Sequence, residues 1–207
     1  MEELTIKDRI LKGAEELFIR YSVRSVTMEE IARHLGISKK TLYQHFADKD
    51  DIVSLATEQH INKRCGEFDD IQKKSKDAIQ EMVLLSSRMR ENMKNANPSM
   101  LYDIQKYHPK AWKAWIEYRN KFIRSSMERN LNEGIEQGYY RANINPHIIA
   151  TIRMEMIQIG FDEQVFPRDE FNTSEVQMQL LDHFTHGILT EKGLKKYNKY
   201  QEELEIK

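Results

Sequence analysis

Residues 27–49 read TMEEIARHLGISKKTLYQHFADK, and their spacing predicts two short helices joined by a tight turn. Thr27, with Glu30 three positions on, forms a capping box that opens a helix over Met28–Leu35. Gly36 stops that helix, as glycine does just past a C-terminus. Ser38 caps a second helix, Lys39 to about His45, and Asp48, with Asp51 behind it, opens another from Lys49 to about Asp70. Ile31, Ala32 and Leu35 turn inward on the first of these helices, and Ile37 fills the turn. Leu42 and Phe46, four apart, share one side of the second helix, which leaves Lys40, Thr41, Tyr43 and Gln44 on the opposite arc.

A short helix with an apolar back and a polar front, braced by a second helix, is what reading duplex DNA through the major groove requires. Lysine and glutamine hydrogen-bond base edges, and threonine donates to phosphate or touches a thymine methyl. Tyr43 can lay its ring on sugar and its hydroxyl on phosphate, and Lys49 with the backbone amides that follow offers a seat for another phosphate. Each residue also has a plain structural reading. A lysine on a helix surface is usually just solvated, and Thr27 and Ser38 serve as caps in any case.

Working outward, Thr5 and Asp8 cap a helix over Ile6–Tyr21, with Ile10, Leu11, Ala14, Leu17, Phe18 and Tyr21 on one apolar face. Downstream, helices are expected over residues 76–94, 98–106, 109–137, 146–161 and 174–189, broken at Asn97-Pro98, His108-Pro109, Gly138, Asn145-Pro146 and Pro167. The polar tail from Glu191 reads as a short helix or a frayed end. With only 8 glycines and 4 prolines in 207 residues and no period-two alternation, the chain is expected to be all-α.

Composition narrows the setting. Cys65 stands alone, so a disulfide within the chain is impossible and a reducing cytoplasm is expected. No apolar run is long enough to cross a bilayer, and no membrane partner is expected. The net charge of −1 means that any DNA contact must come from a local patch. Between Arg33 and Lys49 the charged residues are Arg33, Lys39, Lys40, Asp48 and Lys49, a locally basic stretch. No phosphate-binding glycine loop, nucleophile elbow or HExxH is present, and Ser22, Ser86, Ser87 and the histidines fall into no legible triad. An enzyme is not expected, nor is a cofactor or a metal. His183 and His186 could share a helix face beside Asp182, but no third ligand joins them.

The pattern T-M-x-E-I-A-x-x-L-G-I-S-x-x-T-L-Y-x-H-F-x-D-K resembles the signature of the TetR family of transcriptional regulators. Ala14, Leu17, Phe18 and Tyr21 resemble that family's first helix, with Ser22 where glycine is common. The resemblance covers about the first quarter of the chain. It implies an N-terminal three-helix helix-turn-helix DNA-binding domain over residues 1–49, a linking helix starting there and reaching about residue 65, and a C-terminal helical ligand-binding and dimerisation domain over 66–207. It assigns Thr27 and Lys49 to phosphates, and Lys39, Lys40, Thr41 and Gln44 to bases or nearby backbone, with Ser38 counted among the DNA-binding residues. Tyr43 and His45 are assigned to phosphates. Lys39 and Lys40 suit guanine or phosphate equally. The implied function is a ligand-responsive repressor that binds a palindromic operator as a homodimer and is released by a small-molecule effector of unknown identity. A regulator without such a ligand and an activator are the alternatives.

The C-terminal half carries a weaker echo. Gly134–Arg141, GIEQGYYR, resembles the family's E-G-x-x-x-G-x-x-R bend. The last two long helices offer apolar stripes for a homodimer: Ile148, Ile149, Ile152, Met156 and Ile159 on one, and Val176, Leu180, Leu181, Phe184 and Ile188 on the other. Intramolecular core is the competing account of both stripes. Tyr102, Trp112, Trp115, Tyr118, Phe122 and Phe161 are candidates to line an effector pocket, against the simpler reading that they fill the core. Met82, Met89, Met93 and Met100 would supply a soft wall, and Arg119 and Arg153 could pair an anionic ligand or merely an acid of the same chain.

Overall fold

Each short helix of the N-terminal region is set by its caps. In the computed structural model, which describes residues 5–94, 97 and 99–205, α1 (Ile6–Tyr21) begins at a reciprocal Thr5–Asp8 capping box and α2 (Met28–His34) at the matching Thr27–Glu30 box. The Thr27 N–H donates to Glu30 Oε2 at 2.7 Å while the Glu30 N–H donates to Thr27 Oγ1 at 3.2 Å, so two amides left over at the helix start are satisfied together. Ser38 Oγ accepts the Thr41 N–H at 3.0 Å and opens α3 (Lys39–His45). Asp48 Oδ1 accepts the Asp51 N–H at 2.9 Å at the head of α4 (Lys49–Lys74), which runs a turn longer than the sequence pattern implied. Gly36 ends α2 with φ 65°, and Ser22 ends α1 with φ 74°, the position at which the resemblance expects glycine.

The chain divides into two compact units, Met1–Arg64 with Asn95–Glu117, and Cys65–Lys94 with Tyr118–Lys207. The first contains α1, α2, α3, the opening turns of α4, α6 (Ser99–Tyr107) and α7 (Pro109–Glu117). Its core joins Ile10, Leu11, Ala14, Leu17 and Phe18 of α1 to Ile31 and Ala32 of α2, Leu42 of α3, and Ile52, Val53 and Ala56 of α4. Phe46, just past α3, is buried in the same cluster, so the apolar back of α3 fixes which side faces out. Ile104, Ala111 and the half-buried Trp112 extend this core. The expected start of α6 at Pro98 lies outside the described residues.

The second unit is built from the end of α4, α5 (Ala78–Lys94), a π-helical turn over Tyr118–Ile123, α8 (Arg124–Glu136), α9 (Pro146–Ile159), α10 (Thr173–Ile188) and α11 (Glu191–Glu205). Its core gathers Ile79, Met82 and Val83 of α5, Leu131 of α8, Ala150 of α9, Phe184 and Ile188 of α10, and Tyr197 and Tyr200 of α11. Two glycines make the bend after α8. Gly138 adopts φ 70°, and a Cβ on Gly134 would lie 2.1 Å from the Tyr140 ring, so only glycine admits that ring against the helix. Tyr140 then lies beside Leu189 in an isolated antiparallel bridge.

Two expectations change here. The helix expected over 109–137 is interrupted by the wider i→i+5 winding at Tyr118–Ile123, where no glycine or proline announces a break. The polar tail is a full helix, α11. Gly193, Tyr197, Tyr200 and Leu204, at helical spacing, turn to the core, and Lys195, Lys199, Glu202 and Glu203 face out. Its stripe is two tyrosines, a glycine and one leucine, so it does not read as apolar by composition. Among the described residues, no helix is long and apolar enough to cross a membrane.

Candidate nucleic-acid interface

α3 is held by its back and leaves its front free. Leu42 is 0% and Phe46 3% exposed, while Lys40, Tyr43, Gln44 and His45 are exposed and Thr41 is half-buried. Tyr43 leaves 53% of its surface in solvent. Ser38 is committed locally. Its hydroxyl caps α3 and lies 2.8 Å from Thr41 Oγ1.

Beside this front lies a shallow cleft of about 450 Å³ lined by Val26, Thr27, Met28, Glu29, Lys39, Tyr43 and Lys49. Four of the nine residues read from the sequence as DNA contacts therefore converge on one concave surface: Thr27 from the start of α2, Lys39 and Tyr43 from α3, and Lys49 from the start of α4. Lys49 reaches across to the Arg24 carbonyl at 3.4 Å. Burial pushes the Lys49 pKa down, against the opposing pull of Asp103 and Glu30. The Arg24 N–H is itself fixed by Asp103 Oδ2 at 2.9 Å, so the floor under Lys49 is tied to α6.

Glu29 was not singled out by sequence reasoning. Its Oε2 lies 2.6 Å from Lys39 Nζ, and that hydrogen bond holds the Glu29 pKa below the usual carboxylate range. Both side chains are more than half exposed, so the pair is weak and Lys39 can leave it for a stronger anion. Glu29 and Lys39 are ten positions apart on different helices, and no periodicity in the sequence connects them. Glu30 also titrates low, through the Thr27 N–H that it accepts.

The aromatic candidates for an effector pocket divide between the units. Tyr102 is exposed on α6 and accepts a hydrogen bond from Lys106 Nζ at 3.1 Å. Trp112 packs on the first core and Trp115 is half-buried on the same helix, α7. In the second unit Tyr118 is buried and stacks on Phe122 with centroids 5.6 Å apart, Phe68 meets Phe122 edge-on at 5.8 Å, and Phe161 is half-buried just past α9. Arg119 donates to Gln158 Oε1 at 3.2 Å and lies 3.7 Å from Glu155. His183 and His186 are both exposed, and among the described residues no three His, Cys, Asp or Glu side chains could hold a metal ion.

Comparison with known proteins agrees with the geometry. Residues 10–56, which span α1, α2, α3 and the start of α4, match the model of bacterial regulatory proteins of the tetR family. An HTH-type transcriptional regulator of Bacillus subtilis, YvaF, is 29% identical over 79% of this chain and 86% of its own length. The HTH-type transcriptional repressor KstR2 of Mycobacterium tuberculosis is 24% identical over 69% of this chain and 73% of its own. The solved structure of the ketosteroid transcriptional regulator KstR2 superposes with a TM-score of 0.62 over 92% of this chain and 98% of its own, at 21% identity, which speaks for the fold. Residues 10–56 thus carry the helix-turn-helix region of the tetR family, and the chain is similar over most of its length to HTH-type transcriptional regulators.

Proposed function

We propose that this protein is a ligand-responsive repressor that reads a palindromic operator as a homodimer and releases it when a small-molecule effector binds. The cleft shared by Thr27, Lys39, Tyr43 and Lys49, beside the exposed front of α3, carries the reading. A DNA phosphate seated there would be met by two lysines and two hydroxyls, while Lys40, Thr41 and Gln44 turn to base edges and His45 to neighbouring backbone. Ser38 serves by holding the first turn of α3. The work is cytoplasmic, since the substrate is chromosomal DNA.

Dimerisation is supported by α9. Ile148, Ile152 and Ile159 lie on one face and keep 55%, 46% and 42% of their surfaces exposed, which an isolated protomer gains nothing by doing. Ile149 and Met156 of the same helix turn to the core of the second unit, and so do Phe184 and Ile188 of α10. A two-fold axis through such a face matches two recognition helices to two half-sites. Repression is supported by the name of the KstR2 relative. Response to an effector is supported by α4, whose residues up to Arg64 belong to one unit and the rest to the other, so the helix that follows the recognition helix runs on in sequence into the second unit.

Selection of tight binders from a pool of random duplexes tests this reading. Inverted repeats with half-sites about one helical turn apart are the expected product. Enrichment of single, unpaired sites would refute the dimeric operator, and no enrichment over bulk DNA would refute specific reading.

A further inference from the structure

Cations in the second unit regularly meet an acid. Arg129 Nη2 lies 2.5 Å from Glu81, Lys196 Nζ 2.8 Å from Asp77, and Arg88 Nη2 2.9 Å from Glu67. Among the described residues, Arg153 of α9 meets none. It is 2% exposed, and among the described residues its Nη1 has no hydrogen-bond partner. Its Nη2 reaches the Met89 Sδ of α5 at 4.0 Å, and its guanidinium carbon sits 5.8 Å from the Phe184 ring centroid of α10. Burial alone pushes its pKa down to about 10, which leaves it charged at neutral pH.

A guanidinium without an acid is among the most unfavourable groups to bury, and a phenyl face returns little of the lost hydration. Apolar side chains of like volume would pack this place better, so the charge has a use that the free protein does not display. A second subunit does not supply the missing acid, because the group is already enclosed within a single protomer. The group that fits is an anion entering from solution. The unpartnered Nη1 offers an N–H edge to a carboxylate or phosphate, and the flexible Met89 thioether on Nη2 is a side chain that can give way and complete the planar fork.

We propose that the second unit binds an organic anion whose carboxylate or phosphate head pairs with Arg153 and whose apolar body lies against Met89 and Phe184. This rests on the effector-binding part of the function proposed above and gives that effector a chemical class. Arg153 shares α9 with Ile148, Ile152 and Ile159, so an occupant there bears directly on the helix proposed to hold the dimer together.

Four probes with one tail test it on the full-length protein: decanoate, decyl phosphate, decanol and decylamine. Decanoate or decyl phosphate raises Tm saturably and decanol and decylamine do not, and the stronger of the two anions names the head. Arg153→Met melts at a higher temperature than the parent without ligand, because the unpaired charge is gone, and no longer responds to either anion. Arg153→Lys keeps the charge but loses the fork and binds the anion at least tenfold more weakly, so it decides the matter if the methionine variant does not fold. An equal response to decanol, an unaltered anion response in these variants, or no response to either anion in the parent overturns the site. A parallel gel shift of ligand-free protein separates the two readings. Intact operator binding beside a failed anion response removes only the anion site, and failed operator binding removes the regulator on which it rests.

Discussion

The helix-turn-helix and the second unit satisfy their polar groups by opposite means. Around α2 and α3 the hydrogen bonds are local: Thr27 with Glu30, Ser38 with Thr41 and Asp48 with Asp51, each three residues apart. In the second unit several buried polar groups find partners far along the chain. Glu81, 3% exposed, is held by Arg129 and by Asn130 Nδ2 at 2.9 Å, and the Tyr140 hydroxyl donates to Asn130 Oδ1 at 2.9 Å. Burial and the nearby carboxylates of Glu81 and Asp77 push the Tyr140 pKa well up, so the hydroxyl remains a donor. Asp77 accepts from Lys196 at 2.8 Å and from the Tyr200 hydroxyl at 2.9 Å, which ties α11 to the head of α5. Although burial resists its ionisation, these bonds and the Gln80 N–H hold the Asp77 pKa low. Local caps fix the helix-turn-helix and leave the front of α3 free, and distant pairs fix the second unit.

The sharpest way to break the comparison is Glu81→Ala. It leaves Arg129 with only the more exposed Glu133 and Asn130 Nδ2 with only the Ala78 carbonyl, and it should cost about 3–5 kcal/mol in denaturant unfolding. A cost under about 1 kcal/mol would mean that the distant network is ornamental. Caps should matter less. Thr27→Ala is expected to destabilise by about 1 kcal/mol. Ser22→Gly should move stability the other way by about 1 kcal/mol, since Ser22 at φ 74°, ψ 156° holds a conformation natural only to glycine.

These magnitudes also say why one region was legible and the other was not. A cap acts over three residues, so Thr5 with Asp8, Thr27 with Glu30, and the stops at Gly36 and Gly138 could be placed from the sequence, and the structure puts them there. The all-α class followed from the same signals. The π-helical turn at Tyr118–Ile123 has no residue that marks it, and α11 was undervalued because its buried stripe is carried mainly by Tyr197 and Tyr200. At the exposed front of α3, residue types and their arc were legible because Leu42 and Phe46 fix its rotation. The pairing of Lys39 with Glu29 and the reach of Lys49 to the Arg24 carbonyl were not, because both depend on how helices pack.

An acid titration sharpens the comparison within the first unit. Glu15 accepts from His60 Nδ1 at 2.6 Å, and that hydrogen bond, over the opposing effect of burial, holds its pKa below the ordinary glutamate value. A depressed carboxylate stabilises the fold above the unfolded-state pKa, and that contribution fades as pH falls through the folded-state value. Stability measured from neutral pH into the acid range should therefore decline, and Glu15→Gln should flatten part of that decline. An identical slope in the variant would remove the pair from the account.

The smallest expected effect is at the surface itself. Glu29→Gln frees Lys39 and removes a negative charge from the cleft, so operator affinity should rise a few-fold with little change in stability. A fall in affinity would show that Glu29 positions Lys39 rather than competing for it.

The most direct measurement pairs Tyr43→Ala with Lys49→Ala and follows binding to a selected operator duplex by fluorescence anisotropy across a range of salt concentrations. Tyr43 is exposed and supports no core, so its removal leaves the fold intact. The account predicts that the double variant binds roughly 100-fold more weakly, with a salt dependence shallower by about one unit for each phosphate that the protein no longer neutralises. Unchanged affinity and an unchanged salt slope, in a protein that still melts cooperatively, would contradict the claim that this face of α3 and its cleft hold DNA.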